Sequence, residues 1–369
     1  MNRLFRWDQM GLFLLALAAG ILPFAVPEVC AAALREGLTL CSGPLLLSLF
    51  PFLVVSRLLV QCPESDLLAL PFRLAAWGIG IRTPCAARVL CIGFLGGFAP
   101  AASAAAQAVR TGQLTAEEAD ALLPACICSG SSFVVLTVGQ SLLGSAELGA
   151  LLFASQITAN YLTAALLNRF AGVRSVKPGS AAPTSPAPPR LDEILADAAI
   201  TYCKLCGFIL FFRMLAAGAG ALLPAGAGTL CSILLEVCSG CDLASRTGRW
   251  GSLLCCAALS VQGLSVLLQV RTICPPEMTL RPLYRARMLH LPLSLALFYL
   301  LLPGGEADVF STLPARVLLM RRVPPDCALL VFAVCCMAAC TLRSGIRQVE
   351  QKQMARNAGG CCINSKTLL

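Results

Sequence analysis

Apolar runs of membrane-spanning length recur along this chain, and no other feature constrains its fold as tightly. The stretch "GSLLCCAALSVQGLSVLLQV" (251–270) carries no charge, and "LFPFLVVSRLLV" (49–60) carries a single arginine. A helix needs about 20 consecutive apolar residues to cross a hydrocarbon core. Inside lipid the backbone must satisfy its own N–H and C=O groups, which a helix does within one segment. Of the 369 residues, 57% are hydrophobic and 13% charged, with a mean hydropathy of +0.79. A soluble globular chain carries about a quarter charged residues. The fold class is therefore an all-α polytopic membrane protein.

The segments read as helices over 10–27 and 37–60, then a short amphipathic piece around "LLALPFRLAAWGIGIR". The run 86–109 is broken at its centre by Gly96, Gly97 and Pro100, which suits a re-entrant hairpin. Irregular backbone at that depth must face protein or a wet cavity. Thr115 with Glu118 forms a capping-box pattern that starts a helix near 116, running to 142. Another helix covers 146–168, and "AGVRSVKPGSAAPTSPAPPR" (171–190) is a Pro/Ser/Ala-rich linker. The second half offers a helix over 194–222, a hairpin over 227–245, a broken helix over 251–270 and helices over 289–302 and 325–341.

Each half thus reads helix, hairpin, broken helix, helix. "PFLVVSRLL" (51–59) lies over "GFILFFRML" (207–215) without gaps, which superposes Arg57 on Arg213. Each half holds an odd number of crossings, so two in series sit upside down relative to each other, as in many secondary transporters. The expected organisation is an N-terminal helix (1–29), a first gate-like repeat (30–170), the linker (171–192), a second repeat (193–303) and a last helix with a basic tail (304–369). The net charge of +9 reports topology rather than nucleic-acid binding. Basic residues cluster at the ends of apolar runs, with Arg281, Arg285 and Arg287 among those assigned to cytoplasmic loops. Their bias favours cytoplasmic N and C termini, about eight crossings and two hairpins. The N-terminal run could also be a signal peptide cleaved near Ala31; its length favours a retained helix.

Six blocks in order carry a resemblance. They are "LFPFLVVSRLL" (49–59), "GGFAPAA" (96–102), "TGQLTAEEADALL" (111–123), "SGSSFVVLTVG" (129–139), "LLEVCSGCDLAS" (234–245) and "VQGLSVLLQV" (261–270), the last followed by "LYRARMLHLPLS". Together they resemble the sporulation integral membrane protein family of the YlbJ type, which carries nucleoside-recognition, or gate, domains. That family is more distantly similar to the core of concentrative nucleoside transporters. The resemblance implies a bacterial cell membrane or outer forespore membrane, a role in spore maturation, and dipicolinic acid as the solute. Two departures touch the presumed site. The family's Asn-Asn-Ser-Ser-Pro is here Ser129-Gly130-Ser131-Ser132-Phe133, and its Gly-Tyr-Pro-like tip is Gly97-Phe98-Ala99-Pro100.

Candidate site residues follow from polar groups inside apolar runs. Ser129, Gly130, Ser131 and Ser132 can open the backbone and line a substrate cavity, or let helices pack closely. Gln262, Ser265 and Gln269 fall on one helix face, as a solute site or an inter-helix hydrogen-bond stripe. Gly96-Gly97 and Ser239-Gly240 are the expected hairpin tips, whose half-helix N-termini would face an anion. Glu236 is the only carboxylate deep in an apolar run, hence a proton or cation site or a partner for an arginine. Arg57 and Arg213 would guide an anion at the two mouths, or simply snorkel. Asn160 and Gln156 would complete the cavity or tie helices together, and His290, the only histidine, is read as interfacial.

Two C-x-x-C pairs, Cys203/Cys206 and Cys238/Cys241, fit helix turns better than metal or redox chemistry. No nucleophile–base constellation points to an enzyme, and no cofactor or metal is implied. The expected function is transport of a small organic anion by alternating access, coupled to a proton or Na+. The partners are the lipid bilayer and that solute, with a homo-oligomer left open and no nucleic acid. Two alternatives remain. One is a non-transporting scaffold for spore maturation factors, marked by a filled, dry cavity. The other is a nucleoside carrier, marked by uncharged polar readout with Arg57 and Arg213 outside the cavity.

Overall fold

The structure, a computed structural model, describes residues 4–61, 69–171 and 190–302. Among these residues there are fourteen α-helices and no strand. Four segments are long and apolar enough to cross a membrane: Pro27–Leu47, Ala146–Ala171, Leu191–Leu222 and Gly248–Ile273. Large apolar side chains such as Phe24, Phe170 and Met288 stand exposed on the outside. That surface suits lipid better than water. Most of the linker and the helix expected over 325–341 lie outside the described residues.

α1 (Leu4–Ala25), α2 (Pro27–Ser42) and α3 (Pro44–Gln61) open the chain. The single helix expected over 37–60 is instead two helices, divided at Gly43. Pro44 cannot continue the hydrogen bonding of α2 and starts a new helix. α4 (Leu70–Gly78) follows, then α5 (Pro84–Gly96) and α6 (Phe98–Arg110), which pack on each other and meet at Gly97. α6 is rich in alanine and is buried on every side over Ala99–Ala106. Small side chains let neighbouring backbones approach closely.

α7 (Ala116–Cys126) starts at the expected capping box: Thr115 accepts from the Glu118 amide while Glu118 accepts from the Thr115 amide. The chain then unwinds over 127–130 and resumes as a π-helical segment, Phe133–Leu142. π-helical turns are uncommon and gather at functional sites. α8 (Ala146–Ala171) packs along this segment.

The second half follows a comparable order from its hairpin onward. α9 (Leu191–Leu222) is followed by α10 (Ala225–Leu235) and α11 (Val237–Ser245), which meet at Glu236. α12 (Gly251–Val261) and α13 (Gly263–Ile273) meet at Gln262, and α14 (Arg281–Leu301) closes the described chain. The halves share one interior: α2 and α3 pack along α9, α6 on α13, and α14 against α7, α8 and α12. Before α14, Asp120 accepts from the Thr279 and Leu280 amides and the Thr279 hydroxyl, holding Leu280 at φ 56°.

Candidate solute site

The two hairpin tips and the two helix breaks converge. Gly97 sits at φ 80°, ψ −161°, a region essentially reserved for glycine. A Cβ added there would stand 2.6 Å from the Gly130 nitrogen, so the first tip rests directly on the first break. Gly263 sits at φ 70°, and its added Cβ would meet the Glu236 nitrogen at 3.0 Å. The second tip therefore rests on the second break in the same way.

Between these joints lies a small cavity of about 50 Å³. Gly96 and Phe98 come from the first tip, and Ser129, Gly130, Ser132 and Phe133 from the first break. Glu236, Val237 and Cys238 come from the second tip, and Val266 and Gln269 from α13. Leu45 and Leu49 on α3 and Ile209 on α9 complete the wall. Its wall is mostly apolar with a few placed polar groups, the usual make-up of a small-molecule site.

Glu236 forms the second tip, at φ −152°, and its side chain caps α11. One carboxylate oxygen accepts from the Cys238 amide at 2.9 Å and the other from the Ser239 amide at 2.7 Å. The tip expected at Ser239-Gly240 is thus displaced to Glu236, and both of those residues belong to the first turns of α11. Gly240 is needed for packing: its added Cβ would stand 2.8 Å from the Ile233 Cα of α10. The positive end of α11 is therefore met by the chain's own carboxylate. The start of α6 has no side-chain cap, nor has the π-helical segment. Uncapped helix starts favour an anion.

Gln262 is the second break itself, in the left-handed conformation at φ 66°. It does not share a helix face with Ser265 and Gln269. Holding a non-glycine residue there costs about 1–2 kcal/mol. Its Nε2 donates to the Leu259 carbonyl at 2.7 Å and to Ser129 Oγ at 3.3 Å, tying the two breaks together. Gln269 donates to Ser265 Oγ at 2.9 Å. The Oε1 atoms of both glutamines are buried without a protein partner.

Of the expected residues, Gly96, Ser129, Gly130, Ser132, Glu236 and Gln269 line the cavity. Gly97, Gln262 and Ser265 support it from behind. Ser131 opens the segment after the first break, and Asn160 bonds the Ile127 carbonyl at 3.3 Å. Arg57 and Arg213 are not among the lining residues. Each is buried and reaches an exposed carboxylate: Arg57 to Asp197 at 2.6 Å and Arg213 to Glu36 at 2.7 Å.

Two assignments change. His290 is buried at 1% exposure, with Nε2 at 3.2 Å from the Gln156 carbonyl, so it is not interfacial. Arg287, read as a loop charge, lies buried in α14 among the helix breaks. The signal for it was available: Arg287, His290 and Ser294 recur at spacings of three and four, one face of a helix.

Comparison with known proteins returned no match, whether by family model, curated sequence or solved structure.

Proposed function

We propose that this chain is a membrane transporter that moves a small organic anion through the central cavity by alternating access. The observation that carries the reading is the double joint: Gly97 on Gly130 and Glu236 against Gly263, with one cavity between them. Broken elements meeting at a common centre are how secondary transporters expose backbone groups to a solute. The uncapped starts of α6 and of the π-helical segment would meet the solute's negative charge. Glu236 is the position for a coupling proton or Na+.

The matching order of elements in the halves supports two inverted repeats with re-entrant hairpins, about eight crossings and cytoplasmic termini. The resemblance to the YlbJ-type sporulation family supports dipicolinate as the first solute to try and a cell or outer forespore membrane as the setting.

A second reading, a nucleoside carrier, is favoured by one observation: Arg57 and Arg213 are engaged with Asp197 and Glu36, away from the cavity lining. The test is uptake of radiolabelled dipicolinate and uridine into proteoliposomes, with and without inward proton or Na+ gradients. Gradient-dependent dipicolinate uptake is the expected result. Uridine uptake alone would favour the nucleoside reading. Uptake of neither, by folded and inserted protein, would count against transport of these solutes.

A further inference from the structure

Arg287 is a deeply buried charge outside the cavity lining. Its residue exposure is 7%, and among the described residues it has no carboxylate partner. Burying a guanidinium costs several kcal/mol unless hydrogen bonds compensate. Two of its three bonds go to backbone carbonyls. Nη2 donates to the carbonyl of Ile127, where α7 ends, and Nη1 donates to the carbonyl of Ser260 at 3.3 Å, at the end of α12. Both carbonyls lie at a helix C-terminal end beside a break, where a helix leaves acceptors without intrahelical donors. A cation at a helix C-terminus is also favoured by the helix dipole. One guanidinium therefore serves the C-terminal ends of both broken helices.

The surrounding side chains hold it in register. Asn160 Oδ1 accepts from Nη2 at 3.4 Å while Asn160 Nδ2 donates to the same Ile127 carbonyl. Gln156, one turn earlier on α8, donates to Ser260 Oγ at 2.9 Å, and Ser260 Oγ meets Ser294 Oγ of α14. On the cavity side the breaks are tied by Gln262 and Ser129.

We infer that Arg287 is the positioning residue that fixes both helix breaks as one unit, and through them places Ser129 and Gln269 for the solute. The clamp stands on the geometry alone; its consequence for solute binding rests on the transporter reading. A lysine at this position keeps the charge but lacks the planar fork needed to reach two carbonyls at once.

The test is amide hydrogen exchange on the full chain in nanodiscs, comparing wild type, Arg287→Lys and Arg287→Met. Peptides covering 127–133 and 261–265 are expected to exchange about tenfold faster or more in Arg287→Met. α9 should exchange at the wild-type rate. Arg287→Lys should fall between, and it decides the matter if Arg287→Met does not fold. Acceleration at one break only, or at neither, would overturn the clamp. In uptake the same variants should raise KM more than they lower the maximal rate. Failure of wild-type uptake would count against the transporter reading and leave the exchange result standing.

Discussion

The first hairpin tip is bare glycine, whereas the second is a glutamate. Both tips rest on a helix break, yet they treat the helix that follows differently. After Gly97, α6 begins without a side-chain cap; after the second tip, Glu236 turns back and accepts two amides of α11. The breaks differ in the same sense. The first opens over several residues and resumes as a π-helical segment, while the second is confined to Gln262 and Gly263, both at positive φ. One side of the cavity thus has a tip without a side chain, and the other carries its own negative charge. Helix ends left open are places for a ligand, and helix ends already satisfied are places for structure or for ion coupling.

The largest effect should come from closing the first joint. Gly97→Ala forces a Cβ into the Gly130 backbone at a φ that L-residues avoid, and should cost about 3 kcal/mol. Thermal unfolding in detergent would measure it, and uptake should be lost. Next is Glu236→Ala, which leaves the Cys238 and Ser239 amides uncapped and should cost about 2 kcal/mol. Glu236→Gln keeps an acceptor, should cost about 1 kcal/mol, and should uncouple uptake from the ion gradient. A gradient dependence unchanged in Glu236→Gln would make the carboxylate a cap and nothing more.

Gly263→Ala is milder, because its neighbour stands at 3.0 Å and the left-handed region is open to other residues at a cost of about 1–2 kcal/mol. The smallest effect belongs to Arg213→Ala. Its partner Glu36 is half exposed, so the ion pair itself is worth about 1 kcal/mol or less, and solute uptake should persist. Loss of solute affinity in Arg213→Ala with stability intact would return that arginine to the substrate path.

These contrasts also mark how far the residues could be read in advance. Gly96, Gly97 and Pro100 announce a broken element because their backbone chemistry is local. So do the serines from Ser129 to Ser132. The second tip was harder. Ser239-Gly240 has turn-forming residues, but a carboxylate three residues earlier captures the α11 amides and moves the tip to Glu236. Gly240 answers to the close approach of α10, which no local pattern reports. Gln262 was visible as a buried polar residue, but its left-handed backbone depends on Gly263 meeting the opposite tip. Arg287 was hidden by its neighbours Arg281 and Arg285, which made it look like one more loop charge. Its two carbonyl acceptors are 127 and 260 in sequence, and only the packed bundle brings them together.

The measurement that bears most directly on the central claim is dipicolinate and uridine uptake by Ser132→Trp beside wild type. Ser132 lines the cavity at the first break, and a tryptophan there fills the space between the two joints. If the cavity is the solute path, the variant should insert and unfold like wild type while uptake falls to background. Undiminished uptake through a filled cavity would contradict the account.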